Sequence, residues 1–321
     1  MDNIISDAKK AAKIHKKVRK ELKDYIKPGV KLYDICNKIE TRIGELSRNY
    51  GEQINNGIAF PTGISINNIA AHWTPNPGDK TILKEGDICK IDFGTHINGW
   101  IIDSAFTINN NPVYDNLLIS SKDAVDNVIK NMGPDMLISE LSSIAEEIVT
   151  SYEVNVNGKI IPLKPINNLT GHSISQWEIH SGKSIPSVKN DSKERIEDNE
   201  FYAVEVFPTT GSGTGYLEGK SSHYKLKQNY NNCKFKTKRT GKLLNLVKNN
   251  FKTLAFCPRF LYNIEKESQN YDLSYNELFQ NQIINSYPPI LDTPGSMVAQ
   301  FEHTVFISEE KKIILSKSDD Y

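Results

Sequence analysis

The stretch KIDFGTHINGWIIDSAFT, residues 90–107, predicts a β-hairpin with an aspartate in each arm. An Asn-Gly dipeptide between two alternating apolar runs is the strongest short-range signal for a two-residue hairpin turn. Because side chains two positions apart point to the same side of a strand, this turn pairs Gly94 with Asp103 and places Asp92 on the same face. As diagonal neighbours, the two aspartate Cβ atoms are expected to lie roughly 7–8 Å apart or somewhat less.

The two aspartates of the hairpin would carry like charges on a half-buried sheet, where they repel one another and lose hydration. Either one carboxyl group is protonated or a cation lies between them. The alternative is that both aspartates are exposed to water on an open face, which is the commoner situation for an isolated pair. The hairpin alone leaves both interpretations open.

Further acidic residues stand in apolar, strand-like stretches. Glu205 lies in FYAVEVF and Glu302 in AQFEHTVFI, and a glutamate in mid-strand is disfavoured unless it is paired. Each could be a core carboxylate that an arginine or the backbone satisfies. Together with Asp92 and Asp103 they carry four negative charges, which two divalent cations would balance, and His172 offers a neutral nitrogen. An oxygen-rich set with one imidazole suits Mn²⁺, Fe²⁺, Co²⁺ or Zn²⁺.

The composition narrows the class of protein. The 321 residues include 39 Lys+Arg and 39 Asp+Glu, so no net charge draws the chain toward nucleic acid or an anionic membrane. No apolar run approaches the ~20 residues that span a bilayer, and the polar, basic N-terminus is not a secretory signal. The four cysteines are scattered and form no CxxC pair. These features predict a reduced, cytoplasmic protein.

Periodicity and turn residues predict three helical stretches before the middle of the chain. They cover residues 5–25, 32–47 and 115–152, the last of them broken at Gly133-Pro134, and strands and loops cover residues 58–107.

The region of about 225–285 differs from the rest because it is richer in Asn, Lys and Gln. Its pattern is largely helical, with helices predicted over 241–256 and 273–284. We interpret it as a helical insertion subdomain between two strands of a single domain that covers residues 1–321.

Two segments of the chain form a weak internal repeat. KPGVKLYDICNKIE (27–40) and GPDMLISELSSIAE (133–146) align at an offset of 106 residues, and each is a proline turn that leads into an amphipathic helix. The similarity is either chance or the trace of a duplicated α+β half. In the second case, active residues would come from both halves and meet between them.

Four long segments, in order and correctly spaced, resemble the type 2 methionine aminopeptidase family. They are AFPTGISINNIAAHWTPNPGD, KIDFGTHINGWIIDSAFT, NLTGHSISQWEIHSGKSIP and GSMVAQFEHTVFI, with the final SKSDDY. The resemblance implies an α+β pita-bread fold with pseudo-two-fold duplicated halves, and it matches residues 225–285 to the late helical insertion of type 2 enzymes. It also implies hydrolytic removal of the initiator methionine from nascent proteins whose second residue is small.

The resemblance further implies two divalent metal ions per chain (Mn, Co, Fe or Zn) and a bridging water that attacks as hydroxide. The implied metal ligands are Asp92, Asp103, His172, Glu205 and Glu302. Asp103 and Glu302 would bridge both ions, Asp92 would bind one ion, and His172 and Glu205 would bind the other.

The remaining site residues also follow from the resemblance. His72 in AAHW would hydrogen-bond the substrate near the scissile amide, His180 would contact the substrate, and Glu205 would transfer the proton. The methionine pocket would be lined by Phe60, Ile179, His223 and Tyr287. For the first and last of these four residues, ordinary core packing is the alternative.

The expected partners are the N-termini of nascent polypeptides, and association with the ribosome is left open. A cytoplasmic monomer is expected, with no membrane and no specific nucleic-acid partner. One alternative is a proline dipeptidase or aminopeptidase P, which would share the fold and the five ligands. The other is a non-catalytic relative that binds RNA or protein, although such relatives generally lose metal ligands. The segment AAHWTPNPGD and the late insertion favour the methionine enzyme.

Overall fold

The computed structural model describes residues 2–231 and 233–320 of the chain. Within them the α-helices are α1 (Asp2–Leu22), α2 (Leu32–Ser47), α3 (Asp115–Asn131), α4 (Ile138–Thr150), α5 (Lys238–Phe251), α6 (Pro258–Ile264) and α7 (Asp272–Gln280). The strands are β1 (Asn56–Ile66), β2 (Ile69–Ala71), β3 (Ile88–Ile97), β4 (Trp100–Asn109), β5 (Glu153–Val156), β6 (Lys159–Pro162), β7 (Lys164–Pro165), β8 (Thr170–Ile174), β9 (Ser184–Pro186), β10 (Glu200–Val206), β11 (Pro208–Thr209), β12 (Tyr216–Leu217), β13 (His223–Leu226), β14 (Ala255–Phe256), β15 (Ile284–Tyr287), β16 (Ile290–Leu291), β17 (Phe301–Ile307) and β18 (Lys312–Ile314). None of the helices in this part of the chain is both long enough and apolar enough to cross a membrane.

The predicted hairpin is formed by β3 and β4. Its register is the predicted one, with Gly94 opposite Asp103. Asn98 and Gly99 at the turn have φ values of 51° and 79°, and two positive φ angles are what a type I′ turn requires. Asp92 and Asp103 therefore lie on the same face of the two strands.

Two antiparallel sheets form the centre of the fold, with strand orders β1-β3-β4 and β18-β17-β10-β8-β9. Side-chain hydroxyl groups join them where β4 lies beside β17. Thr304 Oγ1 accepts a hydrogen bond from the Asp103 N–H at 2.7 Å and donates one to the Asp103 carbonyl at 2.6 Å. Ser104 Oγ donates to the Glu302 carbonyl at 2.7 Å. These bonds hold an acidic residue of one sheet beside an acidic residue of the other.

The two halves of the molecule are built alike. Helices α1 and α2 pack on the first sheet, and α3 and α4 pack on the second. Helix α2 begins at Leu32 and α4 at Ile138, the same offset of 106 residues that aligns the two sequence segments. The residue before each helix, Lys31 or Leu137, makes an isolated antiparallel bridge to a later segment of its own half. The internal repeat therefore corresponds to two similar α+β units.

Helices α5, α6 and α7 pack with a small sheet of order β14-β13-β15 around a hydrophobic cluster of their own. The helix predicted over 241–256 was wrong at its end, because α5 stops at Phe251 and residues 255–256 form a strand. Lys252 has a φ of 52°, which ends the helix, and short apolar runs do not distinguish helix from strand by periodicity. The second predicted helix likewise ran into β15. The interpretation of this region as an insertion into a single domain stays a prediction. Positions 1, 232 and 321, which belong to the predicted domain, lie outside the described residues.

Helix α1 carries a buried histidine that packs on the first sheet and a buried arginine that binds the C-terminal segment. The ring of His15 stacks on Phe93 with 4.0 Å between ring centroids, and its Nε2 lies 2.9 Å from the Phe93 carbonyl. Arg19 binds the Asp320 carboxylate with two nitrogens, at 2.5 and 2.6 Å. This arrangement fastens the C-terminal segment to α1.

The burial of His15 predicts an acid-sensitive fold. Burial, with a smaller contribution from the Arg19 charge, lowers the pKa of His15 from 6.5 to about 3. Between these pH values the unfolded chain binds a proton that the folded chain does not, so the free energy of unfolding falls as the pH falls, by about 1.4 kcal/mol per pH unit.

The amide of a His15→Gln variant can still donate to the Phe93 carbonyl but does not titrate. When the pH falls from 7 to 5, we therefore expect the free energy of unfolding to fall by about 2 kcal/mol less in the variant than in the natural protein. Urea unfolding of chelator-treated protein at the two pH values measures this difference. Parallel pH dependence of the two proteins would contradict the assignment.

Candidate metal centre

Five potential metal ligands come from five strands and line one cavity. They are Asp92 of β3, Asp103 of β4, His172 of β8, Glu205 of β10 and Glu302 of β17. Glu205 and Glu302 are direct cross-strand partners in the second sheet, so their side chains share a face. The aspartates of the hairpin reach the same cavity from the first sheet. The centre therefore lies between the two similar halves.

The tightest part of this set consists of two carboxylates and one imidazole. One ligand atom each from Asp103, His172 and Glu302 lies within 4.8 Å of the others. His172 Nε2 is 3.5 Å from Asp103 Oδ2, which is too long for a strong hydrogen bond. Carboxylate oxygens and an imidazole nitrogen are ligands that zinc and related divalent metals accept.

The buried carboxylates of the cluster have raised pKa values and too few hydrogen-bond donors. Burial raises the pKa of Asp92 to about 7, and burial together with neighbouring carboxylates raises the pKa of Asp103, Glu205 and Glu302 well above their ordinary values. Asp92 Oδ1 and Asp103 Oδ1 are buried and receive no hydrogen bond from any residue that the structure describes. Buried acceptors of this kind are costly unless a cation satisfies them. The residues present therefore fit divalent cations.

Gln300 is a member of the site that sequence reasoning missed. The residue is 1% exposed, and its Nε2 donates to Glu205 Oε2 at 3.0 Å and more weakly to Asp92 Oδ2 at 3.4 Å. The residue stood in a quoted segment, next to strand β17, but an amide is not itself a sign of a metal site. Only the tertiary structure shows that it orients carboxylates from two sheets.

Histidines and apolar or aromatic side chains form most of the rest of the cavity wall. His72, Phe60, Ile179, His180, His223 and Tyr287 all line it, so every site residue expected from the sequence lies around one space. The His180 ring contacts His172 edge-on, with 4.3 Å between centroids, and the His72 ring is 5.7 Å from that of Tyr287.

Burial determines the charge of these histidines. It lowers the pKa of His72 to about 4 and that of His223 to about 3, with neighbouring histidines contributing, and it also lowers the pKa of His180. The imidazoles are therefore neutral near pH 7, and this part of the cavity suits an apolar group.

Lys225 is a second residue that the sequence did not indicate. It lies on the cavity wall, two positions after His223, and forms an ion pair with Glu178. Burial lowers its pKa to about 8. The only sequence feature that could have suggested it is the alternation within β13, which directs both side chains to one side.

Comparisons with known proteins find similar sequences that cover most of the chain. The family model described as Metallopeptidase family M24 matches residues 6–309. The chain is 42% identical to methionine aminopeptidase 2A of Arabidopsis thaliana over 318 residues, which cover 99% of this chain and 71% of that protein.

Two solved structures share the fold of this chain. The structure of a thermophilic Arx1 superposes with a TM-score of 0.86 at 21% identity, covering 100% of this chain and 92% of its own. A methionine aminopeptidase from Thermotoga maritima superposes with a TM-score of 0.67 at 18% identity, covering 99% and 98%. At these identities the similarity supports the predicted α+β pita-bread fold alone.

Proposed function

The chain belongs to metallopeptidase family M24, in its methionine aminopeptidase 2 group, and we propose that it removes the N-terminal methionine of proteins whose second residue is small. It is a metallo-aminopeptidase and therefore a hydrolase. The observation that carries the proposal is the convergence of four acidic residues and a histidine on a cavity whose other wall is apolar and histidine-rich.

Two divalent ions, chosen from Mn, Co, Fe and Zn, would balance the four negative charges of the cluster. Asp92, Asp103, His172, Glu205 and Glu302 would hold them. When bound, such ions polarise a carbonyl oxygen and lower the pKa of a water molecule. The protein must orient the carboxylates that hold the ions, and Gln300 orients Glu205 and Asp92 by hydrogen bonds.

The cavity wall would select the substrate. The methionine side chain is unbranched and polarizable and would pack against apolar and aromatic groups, here Phe60, Ile179 and Tyr287, with the neutral ring of His223 beside them. The free α-amine of the substrate would lie near Asp92. An internal residue of a polypeptide has no free amine, so only the first residue would be cleaved.

Proton transfer is assigned to Glu205 and carbonyl binding to His72. Glu205 would accept a proton from the attacking water and pass it to the leaving amine. His72, neutral because it is buried, would hydrogen-bond the carbonyl oxygen as negative charge develops on it. His180 would contact the substrate beside them.

Release of free methionine from Met-Ala-Ser tests this function. We expect cleavage with added Mn²⁺ or Co²⁺, loss of cleavage with a chelator, and poor cleavage when a bulky residue replaces the alanine. Cleavage of Gly-Pro or Xaa-Pro peptides instead would support the proline-specific alternative. Protein that neither cleaves nor binds metal would support the non-catalytic alternative.

The cellular setting remains part of the proposal. Nascent polypeptide N-termini would be the partners of a cytoplasmic monomer. The balanced charge of the chain supports the expectation that it binds neither a membrane nor a specific nucleic acid.

A further inference from the structure

A buried ion pair joins helix α6 to helix α2 close to the substrate cavity. The side chain of Arg259 in α6 is completely buried, and that of Glu40 in α2 is 7% exposed. Arg259 Nε donates to Glu40 Oε2 at 3.0 Å and Nη2 donates to Glu40 Oε1 at 2.5 Å. This is the two-bond geometry in which a planar guanidinium matches a carboxylate and a lysine cannot replace it.

The same pair also holds two backbone segments. Glu40 Oε1 accepts a hydrogen bond from the Thr62 N–H at 3.1 Å. Arg259 Nη1 donates to Thr74 Oγ1 at 2.9 Å and to the Pro75 carbonyl at 2.5 Å. The ion pair therefore fixes β1 at Thr62 and the loop that follows β2.

Both segments carry residues of the cavity wall. Phe60 and Pro61 directly precede Thr62, and His72 lies two residues before Thr74. The Pro61 carbonyl is 3.4 Å from His223 Nε2. The positions of Phe60, Pro61 and His72 thus depend on the hydrogen bonds by which the ion pair holds Thr62 and Thr74.

The segment that carries Arg259 is also linked to the cavity, through the small sheet of the α5–α7 region. Arg259 lies three residues after the end of β14, and β14 pairs with β13 at Phe256 and Tyr224. His223 is the neighbour of Tyr224 and pairs with Tyr287 of β15. The small sheet of the α5–α7 region and the β1–β2 segments therefore meet at Arg259, with the substrate cavity between them.

We propose that Arg259 is a positioning residue that sets the spacing between the two walls of the side-chain pocket and thereby its selectivity for an unbranched side chain. This inference rests on the proposed function. Arg259 does not line the cavity, so it acts through Thr62 and Thr74 and has no contact with substrate.

Arg259→Lys tests the inference because it keeps the positive charge and removes the planar set of N–H donors that binds Glu40 and Thr74. We expect the KM for Met-Ala-Ser to rise between about tenfold and 100-fold, with a smaller change in kcat. The ratio of kcat/KM for Met-Ala-Ser over Leu-Ala-Ser should fall, and calorimetry should show weaker binding of free L-methionine. A role in folding alone would lower the melting temperature and the amount of active enzyme but leave KM and the ratio unchanged.

Arg42→Lys is the matched control. Arg42 lies two residues from Glu40 in α2. It also binds a carboxylate, that of Glu21, through two nitrogens, at 2.6 and 3.1 Å, but this pair lies on the surface. We expect its KM and substrate ratio to equal those of the natural protein.

Thr74→Val covers the case in which Arg259→Lys does not fold, because it removes one acceptor of the guanidinium without changing volume. It should shift KM and the substrate ratio in the same direction by a smaller factor. Natural protein that cleaves Met-Ala-Ser while both variants keep its KM and ratio would overturn the inference. Natural protein that neither cleaves Met-Ala-Ser nor binds methionine would instead overturn the proposed function.

Discussion

Asp103→Asn is expected to lose hydrolytic activity by on the order of 10⁴-fold or more and to lose tight binding of divalent ions. The variant keeps the shape of the side chain and removes its negative charge. Asp103, His172 and Glu302 form the tightest part of the cluster. Asp103 is also a residue through which the hairpin contacts the second sheet, because its backbone bonds to Thr304. Calorimetric titration with Mn²⁺ and methionine release from Met-Ala-Ser measure the two effects. Binding of two ions with unchanged affinity would refute the ligand assignment.

The same variant should have the opposite effect on stability when no metal is present. Burial and the charges of Asp92 and Glu205 raise the pKa of Asp103. At neutral pH, where the unfolded chain holds this carboxyl group ionised, Asp103 therefore destabilises the metal-free fold whether it stays ionised or takes up a proton. An amide removes that cost, and we expect the free energy of unfolding in chelator to rise by about 1–3 kcal/mol.

Asp272→Asn is the control for this stability effect. Its carboxylate is exposed and pairs with Lys220 on the surface, so its removal should change stability by less than about 0.5 kcal/mol. Equal effects of the two substitutions in chelator would show that the buried cluster carries no electrostatic cost.

His72→Asn is expected to keep its metal ions and to lose about 10²–10³-fold in kcat. His72 has a φ of 63°, a left-handed conformation that asparagine adopts more readily than alanine. The asparagine variant therefore removes the imidazole with little backbone strain. Single-turnover assays and metal titration separate the loss of carbonyl stabilisation from loss of metal.

His96→Asn is the matched control for the catalytic assignment. His96 is also buried, and its ring meets Trp177 edge-on at 5.3 Å, but it is not among the residues that line the substrate cavity. We expect it to lose stability and keep kcat per folded molecule. Full activity of His72→Asn would remove His72 from the mechanism.

The sequence by itself determined the hairpin and most of the helices. The Asn-Gly turn specified the register that places Asp92 and Asp103 on one face, because a two-residue loop allows only one pairing of its flanking strands. The repeat at an offset of 106 residues suggested two similar units, with chance similarity as the alternative, and helices α2 and α4 begin at that offset. Turn chemistry and side-chain periodicity act over a few residues, so a linear pattern is sufficient to express them.

The tertiary structure decided which of these faces meet. The hydroxyl bonds of Thr304 and Ser104 that join the sheets, the amide of Gln300 and the ion pair of Arg259 with Glu40 all connect residues more than 90 positions apart. Such residue types are common in any chain, and their roles arise only when packing excludes water and brings their partners within hydrogen-bond reach. For the same reason the short strands of the α5–α7 region were missed, because pairing between distant segments, and not local periodicity, selects strand over helix there.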